Sequence, residues 1–321
     1  MVAPLVSVCM STRNRAHLLP RLFAGLAAQT LPASNVEAVV VDDGSTDSTP
    51  EVLRELCATA GFTTFVLRHE SSRGPAAGRN AAWRAATGPV IAFTDDDCVP
   101  APGWLAAGLA GMADCGRVVV GRVHPNPSQM QNDGPFARRL VVGPAERRWF
   151  ATANVFYRRA DLERLGGFDE RFRNAACEDT DLGLRAEAAG IEVVFGDDAL
   201  VFHDVLPSGV RAMVRDQRRW ADLPAVVRRH PSARRELLHG GVFWRRSHAE
   251  LLALVAGLVC APSRRGALVL ALPWLHAKLC RDADPDEVLR LVAALPGLFA
   301  VEAAEVLAAV RGSVRHRTLV L

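Results

Sequence analysis

Aromatic residues make up only 6% of this 321-residue chain, with a single tyrosine, and lysine is nearly absent beside arginine. No basic run is interleaved with aromatics, so the footprint of a nucleic-acid binder is missing and no nucleic-acid partner is expected. No CxxC pair occurs. The seven cysteines (Cys9, Cys57, Cys98, Cys115, Cys177, Cys260 and Cys280) are odd in number, which argues against a disulfide scaffold and a zinc site. Reduced thiols in the cytosol are the expectation. The N-terminus lacks a basic segment followed by an apolar one and a cleavage site, so no secretion is expected. Internal repeats and low-complexity segments are also missing.

What is present is apolar residues in half of all positions, ample for one large domain or a domain with an appendage. The 38 basic and 35 acidic side chains nearly balance, but they are unevenly spread. Residues 211–321 hold 18 Lys/Arg against 10 Asp/Glu, which leaves 20 against 25 in residues 1–210. An acidic front and a basic rear point to two tasks, expected in two parts, 1–210 and 211–321.

"VSVCMSTRN" reads as a buried strand ending near Ser11, and "HLLPRLFAGLAAQ" has helical spacing. "VEAVVVDDGSTDSTPEVLRELCATA" repeats that plan, with a strand through Val41 and a helix capped by Ser48 or Thr49 with Pro50 at its first position. "TTFVLRHE", "GPAAGRNAAWRAAT" and "PVIAFTDDD" add a strand, a helix and a strand. This alternation predicts an α/β fold, a mostly parallel sheet with helices on both faces. Residues 117–145 have little periodicity and read as a long functional loop. "NVFYRRADLERLGGFDERF" predicts a strand, a short helix and a Gly-Gly turn, "EDTDLGLRAEAAG" a helix, and "IEVVFGDDALVFHDV" two short strands. From Arg211 onward the pattern is helical and basic.

Ligands of such sheets sit beyond the carboxyl ends of the strands, where the polar clusters fall. Three aspartates, Asp95, Asp96 and Asp97, end the fourth strand. Such like charge is costly without a cation, and a divalent ion takes carboxylates together with substrate phosphates. A solvated acidic turn is the competing reading. Asp42 and Asp43 end the second strand, either as acceptors for a ribose or base N–H or as a turn and helix cap.

Taken in order, "VSVCMSTRNR", "VVVDDGSTD", "GRNAAWRAATGPVIAFTDDDCVP", "GGFDERF", "CEDTDLGLR" and "VFH" resemble the family 2 glycosyltransferases with the GT-A fold, over roughly residues 4–205. The resemblance implies a nucleoside diphosphate sugar donor, inversion at the anomeric carbon and a Mn²⁺ or Mg²⁺ cofactor. It implies that Ser11 and Arg13 lie beside the nucleotide and that Asp43 recognises the base, with Asp42 close by. Asp95 and Asp97 fill the Asp-x-Asp motif, Asp95 toward the ribose or a metal water and Asp97 on the metal, with Asp96 in the same donor-binding group. Asp179 of the Glu178-Asp179 pair matches the catalytic base, and His203 matches a metal ligand of some members. Imidazole suits Mn²⁺ better than Mg²⁺.

Each position also has a plainer reading. Glu178 and Asp179 can serve as helix-start acids, and Asp181 reads as helical surface. Arg73 and Arg79 can grip the donor phosphates, or Arg79 can lie on a helix face. Trp149 and Asn154 precede "VFYRR" where the family lines the sugar pocket; Trp149 also fits the core. Cys177 has no base near it in sequence and is not read as a nucleophile.

In the last third, "QRRW" is one residue short of the Gln-x-x-Arg-Trp of processive members, so single-sugar addition is expected. "AELLALVAGLVCAP" and "GALVLALPWLHAKLC" are each shorter than the ~20 residues of a spanning helix. They fit a buried helical hairpin packed on the catalytic domain or on a second copy, or a surface that dips into a bilayer; for 211–321 the two partner readings are contact with the inner face of the plasma membrane and contact with a second copy. The acceptor hydroxyl can belong to a lipid-linked glycan, a polysaccharide precursor, a peptide or a natural product. The rival functions are a sugar nucleotidyltransferase, against which "MSTRNRAH" lacks the glycines of a triphosphate loop, and a non-catalytic nucleotide-sugar binder.

Overall fold

The computed structural model describes residues 3–112, 116–260, 263–279 and 285–321, so Cys115 and Cys280 lie outside the described residues. Two compact units are present: 1–131 with 139–205, and 132–138 with 206–321.

The first unit is built on one mixed sheet. Its strands are β1 (Val6–Thr12), β2 (Val36–Asp42), β3 (Thr63–Arg68), β4 (Val90–Phe93), β5 (Cys98–Pro100), β6 (Arg117–Pro125), β7 (Val155–Arg158) and β8 (Glu192–His203), in the spatial order β3-β2-β1-β4-β7-β6-β8-β5. The first four pair in parallel, β7 runs antiparallel to β4 and β6, and β8 is parallel to β6 but antiparallel to β5. Around them lie α1 (Leu19–Ala27), α2 (Thr49–Thr59), α3 (Pro75–Ala85), α4 (Trp104–Met112), α5 (Arg159–Leu165) and α6 (Glu178–Ala188). β1 and β2 are almost wholly buried runs, as a central parallel sheet requires, whereas β3 is an exposed edge. Burying side chains such as Met10, Ile91, Phe93 and Phe156 is worth about 1.5–3 kcal/mol each.

Two local expectations change. Residues 117–125 are not loop: Val118, Val119, Val120 and Val123 are fully buried in β6, deep in the sheet, where β-branched side chains pack well. The two short strands expected after Gly190 are one, β8, with a register shift opposite Gly121/Arg122 that lets a long strand bend and carry on to His203. The start of α2 is also capped differently. Neither Ser48 nor Thr49 caps it with a side chain; the Asp47 carboxylate accepts the Thr49 N–H at 3.0 Å.

β1 is flanked by β2 on one side and β4 on the other, so the order in which strands are added to the sheet reverses there. Beyond the carboxyl ends of β1 and β4 is the crevice where ligands of such sheets bind. It holds residues 11–15 and 94–97.

The second unit contains α7 (Val210–Asp216), α8 (Leu223–Arg229), α9 (Arg234–Leu237), α10 (Arg246–Cys260), α11 (Arg264–Leu279) and α12 (Pro285–His316). Leu251, Leu254, Ala271, Trp274 and Val306 make its apolar cluster, with Leu295, Leu298 and Phe299 of α12 against it. In "QRRW", Gln217 is buried and donates to the Met213 carbonyl at 3.2 Å, and the Trp220 ring lies against that of Trp244, with centroids 3.8 Å apart. By length and composition, Val288–His316 is the one helix among the described residues long and apolar enough to cross a membrane; 28% of its apolar window is buried.

Candidate active site

Turn chemistry shapes one wall of the crevice. Asp42 accepts from the Ser45 N–H at 2.9 Å and from Arg68 at 2.8 Å. Asp43 accepts four hydrogen bonds, from His69 Nδ1 (2.7 Å), Ser72 Oγ (2.7 Å), Arg73 N (2.9 Å) and Gly74 N (3.0 Å). Burial acts to raise its pKa, but these donors outweigh it and hold Asp43 below the usual aspartate range. Base recognition by Asp43 therefore requires one of the four partners to yield. Both aspartates organise the segments around 44–46 and 69–74, closer to the turn reading than to a free acceptor pair. Between those segments Gly44 takes φ +71° with its α-carbon against the Ser71–Ser72 backbone, which leaves no room for a side chain.

The floor is set by three consecutive residues of α3. Gly78 lets the helix approach the end of β1, where an added β-carbon would overlap Ser11 Oγ. Arg79 is buried and divides its guanidinium between two carboxylates: one terminal nitrogen lies 2.7 Å from Asp95 and the other 2.8 Å from Glu178. Asn80 holds Phe168 through both its backbone carbonyl (2.8 Å) and its N–H (2.9 Å). Arg79 is thus neither a surface residue nor a guanidinium free for donor phosphates. The expectation failed because spacing along a helix cannot reveal a partner 99 positions away.

Asp95, Glu178 and Asp179 gather around that guanidinium, while Asp96 is held elsewhere. Asp96 accepts from Thr12 Oγ1 at 2.6 Å, tying β4's end to β1's. Burial first, then the charge of Asp97, pushes Asp96 up to about 7, against the pull of Arg15 and Thr12. Glu178 is buried at the start of α6, and its second carboxylate oxygen has no partner. Burial and the adjacent Asp179 raise its pKa, with Arg79 opposing. Asp179 is half-buried and accepts from the Thr180 N–H at 2.7 Å. Desolvation pushes it up to about 6, with Thr180 and Arg79 opposing and Asp95 adding. Cys177, just before this pair, has φ +78°, an uncommon backbone state for a side-chain-bearing residue, and such strain concentrates at working sites.

The metal-type ligands meet through strand pairing. β5 runs antiparallel to β8 with Cys98 opposite His203, which sets Asp97 beside the imidazole: Asp97 Oδ1 is 3.3 Å from His203 Nε2. His203 Nδ1 lies 2.8 Å from the Asp204 carbonyl, an acceptor only, so Nδ1 carries the proton. Nε2 is thus the ring nitrogen that faces the Asp97 carboxylate. This donor set fits a divalent ion with mixed oxygen and nitrogen ligands. The Cys98 sulfur belongs to the same group, all ligand atoms lying within 4.8 Å of one another. Arg15 lies 3.5 Å from Asp97.

Other expected residues fall elsewhere. Arg13 and Arg73 are exposed, and Arg73 lies 3.2 Å from Glu170. Trp149 is half-buried, and its carbonyl accepts from Thr180 Oγ1 at 3.0 Å. Asn154 is buried and its amide is spent: it accepts from Trp104 Nε1 (2.8 Å) and donates to the carbonyls of Arg122 (2.9 Å) and Ala199 (2.7 Å). It knits β6 and β8 into the core instead of lining a sugar pocket. Asp181 is fully buried against Arg185 (2.9 Å), whose other nitrogens donate to the Leu165 and Gly167 carbonyls. It anchors α6 to the Gly-Gly turn and is not surface. The residues missed in the sequence were Arg15, Thr12 and Thr180. Thr12 and Arg15 flank positions 13–14 and carried only the signal of proximity to the strand end.

Comparison with known proteins bears on family and fold. The description "Glycosyl transferase family 2" matches residues 7–166, and "Glycosyl transferase family group 2" matches residues 90–277, more than half of the chain. Glycosyltransferase AglE of Haloferax volcanii is 29% identical over 212 residues, covering 64% of this chain and 69% of that protein. Validoxylamine A glucosyltransferase of Streptomyces hygroscopicus subsp. jinggangensis is 33% identical over 222 residues, covering 59% of this chain and about half, 52%, of the relative. The structure of the mannosyltransferase PcManGT from Pyrobaculum calidifontis with GDP-Man and Mn²⁺ superposes with a TM-score of 0.61 at 24% identity, over 99% of this chain and 88% of the other. That of S. aureus TarS 1–349 with UDP-GlcNAc gives 0.54 at 18%, over 98% and 92%. At these identities the two structures establish a shared fold.

Proposed function

This chain belongs to glycosyltransferase family 2, a family of transferase enzymes, and on that premise we propose that it moves one sugar from a nucleoside diphosphate sugar to an acceptor hydroxyl, with inversion and with a divalent metal. Its first unit has the GT-A fold. The observation that carries the reading is Arg79, which joins Asp95, at the end of β4, to Glu178, at the start of α6, and so brings two acidic clusters into one crevice.

Asp179 is the base. Its pKa, pushed up to about 6, makes it a stronger proton acceptor than an ordinary aspartate while leaving it ionised near neutral pH. It takes the acceptor hydroxyl's proton as that oxygen bonds to the anomeric carbon and the nucleoside diphosphate departs. Glu178 is buried and bound to Arg79, a poor nucleophile, which favours one displacement with inversion over a covalent intermediate. Asp97 and His203, with Asp95 from the same strand end, would hold Mn²⁺ or Mg²⁺, which when bound neutralises charge growing on the departing diphosphate. Arg13 and Arg73, exposed near the strand ends, are assigned to the donor phosphates, and Asp42, Asp43 and Ser11 to the shape of the nucleotide cleft.

The donor class draws on the neighbours that hold GDP-Man and UDP-GlcNAc. The acceptor is assigned only as a hydroxyl, whether of a lipid-linked glycan, polysaccharide precursor, peptide or natural product. The short "QRRW" supports single addition. A cytoplasmic site at the inner membrane face suits the thiols of Cys9, Cys57, Cys98, Cys177 and Cys260, none of which forms a disulfide among the described residues.

The test is a thermal-shift and hydrolysis screen of nucleoside diphosphate sugars with and without Mn²⁺, since a ligand of the native state raises its stability by mass action. One sugar nucleotide that stabilises the chain only with metal and is slowly hydrolysed supports the reading. Pyrophosphate released from a nucleoside triphosphate overturns it in favour of a nucleotidyltransferase.

A further inference from the structure

The second unit has a buried apolar cluster and, beside it, a large share of the exposed apolar side chains. Among the described residues, twelve of the eighteen large hydrophobic side chains that stand exposed belong to it, against six in the longer first unit. The densest group lies where α10 ends and α11 begins. Leu258, Val259, Leu268, Val269 and Leu272 are between 58% and 77% exposed, while their neighbours Leu251, Leu254, Ala271 and Trp274 fill the internal cluster. The internal packing therefore already has its residues, and a second apolar face is left over. Soluble surfaces rarely expose contiguous aliphatic patches of this kind without an interaction to serve.

We propose that this face of α10 and α11 docks on an anionic lipid bilayer. Charge selects that occupant. From Leu251 to Leu279 the sequence has no acidic residue and three basic ones, Arg264, Arg265 and Lys278. Lys278 is paired with Glu302, whereas Arg265 is exposed beside the aliphatic group. A second copy of the chain meeting this face through a twofold axis would set arginine against arginine, with no acid on either side to answer it. An anionic headgroup layer supplies the missing counter-charge, and the acyl boundary takes the aliphatic side chains.

Length decides how the face is used. α10 has 15 residues and α11 has 16, so each is roughly 23 Å long, short of the ~30 Å hydrocarbon core. They lie in the interface and do not cross it. The longer α12 turns Leu295, Leu298, Phe299 and Val306 into the internal cluster, so this inference leaves it as the packing partner of the other two.

The experiment is flotation of the full chain with phosphatidylcholine vesicles, with and without phosphatidylglycerol, at low and high salt, alongside light-scattering mass. Binding to the anionic vesicles, weakened roughly tenfold or more by removing phosphatidylglycerol or by adding salt, is the expected result. The paired substitution Leu268→Glu with Val269→Glu abolishes it while metal-stimulated donor hydrolysis stays unchanged. The milder Leu268→Ser with Arg265→Gln weakens it in the same direction, which covers the case in which the glutamate variant misfolds. The proposal is overturned if the wild-type chain does not float with anionic vesicles, or floats equally with neutral ones. A mass twice 34.6 kDa that reverts to one copy in the glutamate variant overturns it in favour of self-association. Docking is independent of the assigned chemistry, so hydrolysis failing while flotation succeeds counts against the catalytic reading alone.

Discussion

Arg79 and Glu178 stand 99 residues apart in sequence and 2.8 Å apart in space, both buried, with the other end of the same guanidinium on Asp95. The pairing fixes the start of α6 against the end of β4. Asp179, the next residue, is thereby held at the crevice without touching the arginine's terminal nitrogens.

Replacing Arg79 by methionine leaves Asp95 and Glu178 as unpaired carboxylates. A broken buried pair of this kind costs about 3–5 kcal/mol, read as a lower denaturation midpoint in urea. Adding Glu178→Gln to that variant should recover part of the loss, because one stranded charge is gone. A single-variant cost below about 1 kcal/mol would show that the network is not under this constraint.

Asp179→Asn removes the proton acceptor and keeps the shape. Transfer should fall about 10²–10⁴-fold while the donor still raises the melting temperature. Undiminished turnover would take Asp179 out of the mechanism.

The acid limb of the rate profile should follow the same residue. Asp179 works deprotonated and is pushed up to about 6, so kcat/KM rises with pH through that region and levels above it. A limb near the ordinary aspartate value of 3.8 would mean that desolvation does not govern the base in solution.

His203→Ala should weaken Mn²⁺ binding more than about tenfold by calorimetry, and Mg²⁺ binding less, since imidazole is the softer ligand. Equal affinities in wild type and variant would remove Nε2 from the metal site.

Asp43 has a lowered pKa in the folded chain, so its carboxylate contributes stability that is present above the unfolded value of 3.8 and is lost as pH falls through the folded value. Asp43→Asn should cost about 1–3 kcal/mol at neutral pH, because four donors lose a charged acceptor. The gap between variant and wild type should narrow in acid below the ordinary aspartate range. A gap that stays constant down to low pH would contradict the linkage.

The order of elements was written in the sequence. Alternating apolar runs and helical spacing mark β1 through β4 with their helices, and glycines and aspartates mark the turns, because burial period and turn chemistry are local properties. The acidic strand ends and the ordered motifs marked the crevice in the same way. Tertiary structure alone decided what faced what. It made a strand of Val118–Val123 by placing them between β7 and β8, spent the Asn154 amide inside the core, and buried Asp181 on Arg185. It also turned Arg79 from a candidate phosphate ligand into the link between two acidic clusters. A sequence period tells which side of an element is buried, but a buried charge takes its meaning from its partner, and that partner is chosen by packing between distant segments.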